Sequence, residues 1–133
     1  MIGLDTNVLV RFLVQDDPAQ GAAAARLLGG LTRDNPGWIC RETAIELVWV
    51  LERAYRLGRA EVAAAVEGLL EAEELVVEAA DRVGLALSRY RQGGPGFSDQ
   101  MILIAAGQAG CERLYSFDRK LTAAGAEPVP AAG

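Results

Sequence analysis

Four acidic residues spread along the chain are the best candidates for chemistry. Asp5 and Asp118 each follow an apolar stretch, Asp99 begins an apolar helical segment, and Glu46 borders the apolar stripe of another. The chain has no histidine, which excludes His-based zinc sites, Ser-His-Asp triads and histidine general bases. Carboxylates are natural ligands of magnesium and manganese, which also bind substrate phosphates. The residue types therefore favour a hard divalent cation at any catalytic centre.

Each of these acids also has a structural explanation. Asp5 and Asp118 suit the N-terminal cap of a helix, and Asp99 would interact favourably with a helix dipole. Glu46 differs, because a carboxylate at the edge of an apolar stripe is costly unless a partner stabilises it. We therefore expect Glu46 to be a ligand, with Glu42 as its substitute.

Alternating strands and helices must position these acids. Apolar runs predict strands at residues 1–4, 38–40, 75–78 and 113–116, and a last edge strand at 127–129. Helical periodicity predicts helices at residues 8–14, 19–28, 42–56, 59–70, 80–90, 99–108 and 118–123. Ser98 is expected to cap the helix at 99–108, whose apolar sequence predicts burial nearly all round.

This element order predicts an α/β fold. Strands separated by helices imply right-handed crossovers and one domain over residues 1–133, an α/β/α sandwich with a central, mainly parallel sheet. Ligands of such sheets bind beyond the carboxyl ends of the strands. Asp5 and Asp118 each lie just after a predicted strand, so both are expected at this edge.

Composition places the chain among ordinary globular proteins, with 51% hydrophobic and 23% charged residues. No apolar run approaches the roughly 20 residues that cross a bilayer, and the start does not resemble a signal peptide. We therefore expect a cytoplasmic protein without membrane contact. Cys40 and Cys111 lie in apolar stretches, which predicts buried reduced thiols rather than a bridge.

The formal net charge of −5 opposes nonspecific binding of nucleic acid. Bound divalent cations would lower the local negative charge, and guanidinium groups suit phosphate contacts. The candidate arginines are Arg11, Arg41, Arg53, Arg56 and Arg91.

Four short motifs, taken in order, resemble those of the PIN-domain nucleases and, more narrowly, of VapC-type toxins. They are LDTN at 4–7, ELVWVL from Glu46, FSDQ from Phe97 and SFD from Ser116. The resemblance implies an α/β/α sandwich and an endoribonuclease that depends on magnesium or manganese. It also implies a cognate VapB-like antitoxin that inhibits the enzyme.

The resemblance implies roles for single residues. Asp5, Glu46, Asp99 and Asp118 match the acidic quartet of the family, which is catalytic and holds the metal. Asn7 matches the polar residue that supports the first aspartate.

Two positions depart from the pattern of the family. Ser116 stands where threonine is frequent and keeps the hydroxyl, so it is expected to support the site in the same way. Gln100 follows Asp99 where a small apolar residue is more usual.

Three features concern partners and substrate. Trp49 projects toward the polar side of its helix, where a second helix is expected to cover it, with a partner surface as the alternative. Alanine-rich helices allow close packing and suggest a homodimer. The glycine-rich segment 93–96 is either a mobile loop on the substrate side or a simple connection.

Two other functions fit the same residues. A phosphohydrolase of small phosphoesters would use the same acids, although the chain has no glycine-rich phosphate loop with a lysine. A non-catalytic interaction module would use the acids only as helix caps and the apolar helices to bind a partner. Turnover of a generic phosphoester without RNA cleavage would favour the first, and absence of metal binding the second.

Overall fold

The computed structural model describes residues 1–133. The chain folds into two compact units, Met1–Asp81 and Arg82–Gly133, called here the first and the second unit. The elements in chain order are β1 (Ile2–Gly3), α1 (Thr6–Val14), α2 (Pro18–Gly29), β2 (Gly37–Ile39), α3 (Arg41–Arg53), α4 (Arg59–Glu71), β3 (Leu75–Val77), α5 (Ala80–Gln92), α6 (Phe97–Gln108), β4 (Tyr115–Ser116), α7 (Arg119–Ala123) and β5 (Glu127–Pro128).

All strand pairs are parallel. The first unit contains a three-stranded sheet with the order β1-β2-β3, in which Trp38 pairs with Gly3 and with Val76. The second unit contains β4 paired with β5, with Tyr115 opposite Glu127. The predicted α/β fold with helices flanking parallel strands is confirmed.

The core of the first unit lies between its sheet and its helices. Helix α1 packs on α2 and α3, and α4 packs on α3 and β3. Leu9 from α1, Leu51 from α3 and Val62 from α4 are fully buried. Gly37 in the central strand leaves room for the neighbouring side chains, since a Cβ atom there would lie 2.7 Å from a methyl group of Leu4 and would force that side chain to shift.

The core of the second unit centres on Tyr90 and Phe97, which are both buried. Their ring centroids are 6.2 Å apart and the ring planes meet at 87°. This edge-to-face arrangement adds about 0.5–1.5 kcal/mol to the effect of burial alone. The aromatic pair therefore fixes the end of α5 against the start of α6.

Helix α6 differs from its predicted form. It begins at Phe97 with Gly96 as its cap, so the expectation that Ser98 caps it is wrong. The physical reason is the burial of Phe97, which is only 2% exposed. Its position in the core places the first turn of α6 two residues earlier than predicted. Burial nearly all round is also wrong, because Ile102 is 46% exposed.

Helix α3 ends earlier than predicted, at Arg53. Arg56 has a φ of 54°, in the left-handed region, and Leu57 N donates to Leu51 O at 3.1 Å. This bond terminates the helix as a left-handed C-terminal motif does. Gly58, predicted to close α3, instead caps the start of α4.

The cysteines are free, as expected, but their predicted burial is wrong. Cys40 is half-buried and Cys111 is exposed. Cys40 caps α3, because its Sγ accepts from Thr43 N at 3.4 Å. Cys111 follows the turn that ends α6, and no element covers it.

No helix combines the length and the apolar sequence that crossing a membrane would need.

A polar network joins α1, α2 and the segment that follows α3. Arg11 donates from Nε to Gln20 Oε1 at 2.7 Å and from Nη1 to Asp16 Oδ1 at 3.1 Å. Arg11 Nη1 also donates to Tyr55 Oη at 3.1 Å, and Tyr55 Oη donates to Asp16 Oδ2 at 2.8 Å. The hydrogen bond from Tyr55 is the main cause that lowers the pKa of Asp16 below its ordinary value of 3.8, and a backbone hydrogen bond and Arg11 add to it.

This network predicts an acid-sensitive contribution to stability. A carboxylate whose pKa is lowered by folding stabilises the protein above its ordinary pKa, and the effect is lost as pH falls through the folded value. We therefore expect Asp16→Asn to lower the melting temperature at neutral pH, with a difference from wild type that disappears in acid. Thermal melts across the pH range measure it, with Asp34→Asn in the exposed loop as control. A constant difference at all pH values would contradict the assignment.

Candidate active site

Asp5 lies two residues after β1, at the carboxyl end of the sheet. Leu4 N donates to Trp38 O at 2.9 Å, which holds the end of the strand in place. Asp5 is extended, with φ −85° and ψ 162°, and its Oδ1 accepts from Thr6 N at 2.8 Å. The residue is exposed, and Oδ2 has no hydrogen bond. Asp5 is thus both a helix cap, as its position predicted, and a carboxylate with one oxygen available.

Asn7 lies in the first turn of α1 and is exposed. It lines a cleft of about 340 Å³ between α1 and α2, together with Arg11 and Gln20. Asn7 and Arg11 are four residues apart and share one face of the helix. Asn7, two residues after Asp5, therefore lines a cleft that also contains the guanidinium group of Arg11.

Glu46 lies on α3 and is exposed, while its neighbours Leu47 and Val48 are buried. The argument that burial makes Glu46 costly without a partner is therefore wrong, because the side chain lies on the solvent side of the apolar stripe. Glu42, its possible substitute, is also exposed and lies 3.9 Å from Arg41 Nε. The assignment of Glu46 as a ligand now depends on the motif alone.

Asp99 is the third residue of α6 and is half-buried. It lies two residues after Phe97, so the packing of that ring fixes the backbone from which the carboxylate projects. Gln100, which departs from the motif, is only 4% exposed. It thus occupies a buried position, as a small apolar residue would.

Asp118 follows β4 and caps α7. Its Oδ1 accepts from Lys120 N at 2.8 Å and from Leu121 N at 3.2 Å. Ser116 Oγ accepts from Asp118 N at 2.9 Å, so the hydroxyl holds the backbone of the aspartate. Asp118 is exposed, and Oδ2 has no hydrogen bond. Asp5 and Asp118 thus each follow a strand, Asp5 in the first unit and Asp118 in the second.

The four acids share one electrostatic property, which is that no arginine or lysine neutralises them. Asp16, Glu73 and Glu78 form ion pairs within 4 Å, whereas the four candidate acids form none. Each has at least one oxygen without a hydrogen bond, and these oxygens suit a hard cation. No cluster of three or more acidic or cysteine side chains that could hold a metal ion is formed. Asp5 and Glu46 belong to the first unit, and Asp99 and Asp118 to the second.

The family is decided by comparison with known proteins. A family model described as PIN domain matches residues 2–127. The chain belongs to the PIN-domain family. Among solved structures, this PIN domain is similar to VapC20 of Mycobacterium tuberculosis, described as a sarcin–ricin loop cleaving toxin. The two are 23% identical, with a TM-score of 0.46, and the match covers 98% of this chain and 100% of that one. No curated protein matches the chain significantly.

One acid at the sheet edge of this PIN domain was missed by sequence reasoning. Glu78 follows β3, and its Oε1 accepts from Arg41 N at 3.0 Å and lies 3.7 Å from Arg41 Nε. It satisfies the first backbone N–H of α3 and neutralises the neighbouring guanidinium group. The signal was present, because Glu78 is the last residue of the strand predicted at 75–78, at the carboxyl end of the same sheet as Asp5.

The surface of the PIN domain around α3 also differs from expectation. Trp49 is 58% exposed, so the expectation that a second helix covers it is wrong. No element of the first unit packs over that side of α3, which favours the alternative of a partner surface.

The arginines suggested for phosphate contacts differ in their partners. Arg11 and Arg41 form ion pairs with carboxylates, whereas the exposed Arg53 and Arg56 form none.

Proposed function

We propose that this PIN-domain protein is a metal-dependent endoribonuclease, and the toxin of a toxin–antitoxin pair. The observation that carries the proposal is the family match over residues 2–127. The four unneutralised carboxylates support it, because a nuclease that uses a divalent cation needs hard oxygen ligands without competing side-chain cations.

Asp5, Glu46, Asp99 and Asp118 are the residues that would hold magnesium or manganese. A bound ion supplies positive charge beside the phosphate and lowers the pKa of a water molecule. Backbone N–H groups fix one oxygen of Asp5 and of Asp118, which orients the second oxygen of each carboxylate. Ser116 keeps the Asp118 backbone in place, and Asn7 supplies a neutral polar group beside Asp5.

The proposal includes protein partners. A VapB-like antitoxin would inhibit the enzyme, and a second copy of the chain would form a homodimer. Exposed Trp49 supports a protein contact at α3, because large exposed aromatic side chains are enriched at interfaces. The substrate would be cytoplasmic RNA, cut by hydrolysis of a phosphodiester bond.

The test is incubation of purified, antitoxin-free protein with total cellular RNA in magnesium, in manganese and in chelator. We expect discrete fragments with either metal and none with chelator. If the folded protein cleaves no RNA but turns over a generic phosphoester, the proposal is wrong and the protein is a phosphohydrolase of small molecules. If the folded protein has neither activity and binds no metal, the proposal is wrong and the protein is a non-catalytic interaction module.

Metal binding should also stabilise the fold. Carboxylates that share one ion repel one another in its absence, and a ligand that binds only the folded state stabilises it by about 2.7 kcal/mol at 100 times its Kd. We expect manganese to raise the melting temperature in a saturable way. Asp34→Asn should respond as wild type does, because Asp34 lies in an exposed loop. A melt that manganese leaves unchanged would count against a shared site.

A further inference from the structure

Thr6 is a buried residue whose hydroxyl the fold leaves without a partner. It is the first residue of α1 and is 3% exposed. Its Oγ1 is buried as well and forms no hydrogen bond. Taking a hydroxyl out of water is unfavourable unless another group replaces the hydrogen bonds that water made. The hydroxyl of Thr6 therefore lowers the stability of the fold and needs an explanation.

The usual reasons for a threonine near the start of a helix do not apply to Thr6. The cap of α1 is Asp5, whose Oδ1 accepts from Thr6 N at 2.8 Å, so the hydroxyl is not needed as a cap. Packing does not require it, because valine is branched at the same atom and buries no polar group. Threonine is also no better a helix former than valine. The hydroxyl is thus not explained by the local structure.

Thr43 shows the ordinary case in the same unit. It is 8% exposed and is the third residue of α3, which follows β2 as α1 follows the parallel β1. The Sγ of Cys40 donates to Thr43 Oγ1 at 3.2 Å. A buried hydroxyl at the start of α3 is therefore satisfied within the fold, whereas the one at the start of α1 is not.

We infer that Thr6 is a positioning residue of the cation site, whose hydroxyl donates to the carboxylate of Asp5 when a divalent cation is bound. The inference rests on the proposed function and adds a residue to its site. The two groups are neighbours, because the N–H of Thr6 already binds Asp5 Oδ1. A metal-ligating carboxylate keeps lone pairs for further hydrogen bonds, and such bonds orient it toward the ion.

This role gives the unpaired hydroxyl a thermodynamic effect. An unsatisfied buried group raises the free energy of the metal-free protein. If the group gains a partner in the loaded site, it raises the free energy of the metal-free state alone. A difference between two states is what allows a residue to strengthen binding. Thr6 would then favour the binding of the cation at the expense of stability in its absence.

The test measures binding of manganese alone, without RNA. Isothermal titration gives the Kd, and thermal melts in chelator and in saturating manganese give the stability of both states. The variants are Thr6→Val, which removes the hydroxyl and keeps the branched shape, and Thr6→Ser, which keeps the hydroxyl. The matched control is Thr43→Val, which removes a hydroxyl that already has a partner.

We expect Thr6→Val to bind manganese about tenfold more weakly than wild type, because it loses a hydrogen bond to a charged group. In chelator it should melt at or above the temperature of wild type, since it buries no unpaired hydroxyl. Thr6→Ser should bind manganese as wild type does. Thr43→Val should show the reverse pattern, with a lower melting temperature in chelator and an unchanged Kd.

The outcomes separate this inference from the nuclease proposal. If wild type binds manganese and cleaves RNA but Thr6→Val has the same Kd, the inference alone is wrong. It is also wrong if Thr6→Val melts well below wild type in chelator, because the hydroxyl then has a structural partner. A wild type that binds no manganese would refute both. Weaker binding by Thr6→Val without RNA cleavage by wild type in any metal would support the role of Thr6 and refute the nuclease.

Discussion

Asp99→Asn is expected to reduce metal-dependent RNA cleavage by about 100-fold or more while the protein stays folded. Asparagine keeps the shape of the side chain but removes the negative charge that a hard cation requires. Asp99 makes no ion pair and is half-buried, so its loss should cost little stability beyond a favourable helix-dipole term of about 0.3–1 kcal/mol. The manganese-induced rise in melting temperature should shrink in parallel.

Asp81→Asn is the matched control, because Asp81 is also an acid in the first turn of a helix, but it is exposed on α5 and belongs to none of the motifs. Initial rates of fragment formation from total RNA, with manganese and with chelator, compare the two variants. If Asp99→Asn cleaves as fast as wild type, or if Asp81→Asn loses as much activity, the carboxylate of Asp99 has no specific role.

Phe97→Ala is expected to destabilise the protein by about 3–5 kcal/mol, which is the usual cost of removing a buried aromatic side chain. Phe97 is 2% exposed and contacts Tyr90 edge-on, so alanine would leave a cavity and remove the ring contact. Natural domains are stable by only about 5–15 kcal/mol, so the variant should unfold at much lower denaturant. Because Phe97 also fixes the first turn of α6, which carries Asp99, the rate of RNA cleavage should fall together with the stability.

Ile102→Ala on the same helix is the control for Phe97→Ala. Ile102 is 46% exposed, and its truncation should cost less than about 1 kcal/mol. Equilibrium unfolding in urea gives both values. Equal losses in the two variants would show that the packing of Phe97 does not organise the start of α6.

Local signals determined the order of elements and the caps. Asp5 and Asp118 cap α1 and α7 as predicted, because a carboxylate after an extended residue satisfies the free N–H groups of the next helix within three residues. The strand and helix sequence followed from apolar periodicity, and four motifs were sufficient to indicate the PIN-domain family, which the match over residues 2–127 confirms. All of these features depend on residues close to one another along the chain.

Tertiary contacts decided which side chains are buried and which face solvent. Phe97 moved the start of α6 because Tyr90, on another helix, offers its ring a partner. Glu46 and Trp49 are exposed because no element of the first unit packs over their side of α3, and periodicity along one helix carries no information about what lies beside it. Sequence thus determined the local structure and the family, while packing between distant segments determined burial and, with it, the surfaces available to RNA and to partners.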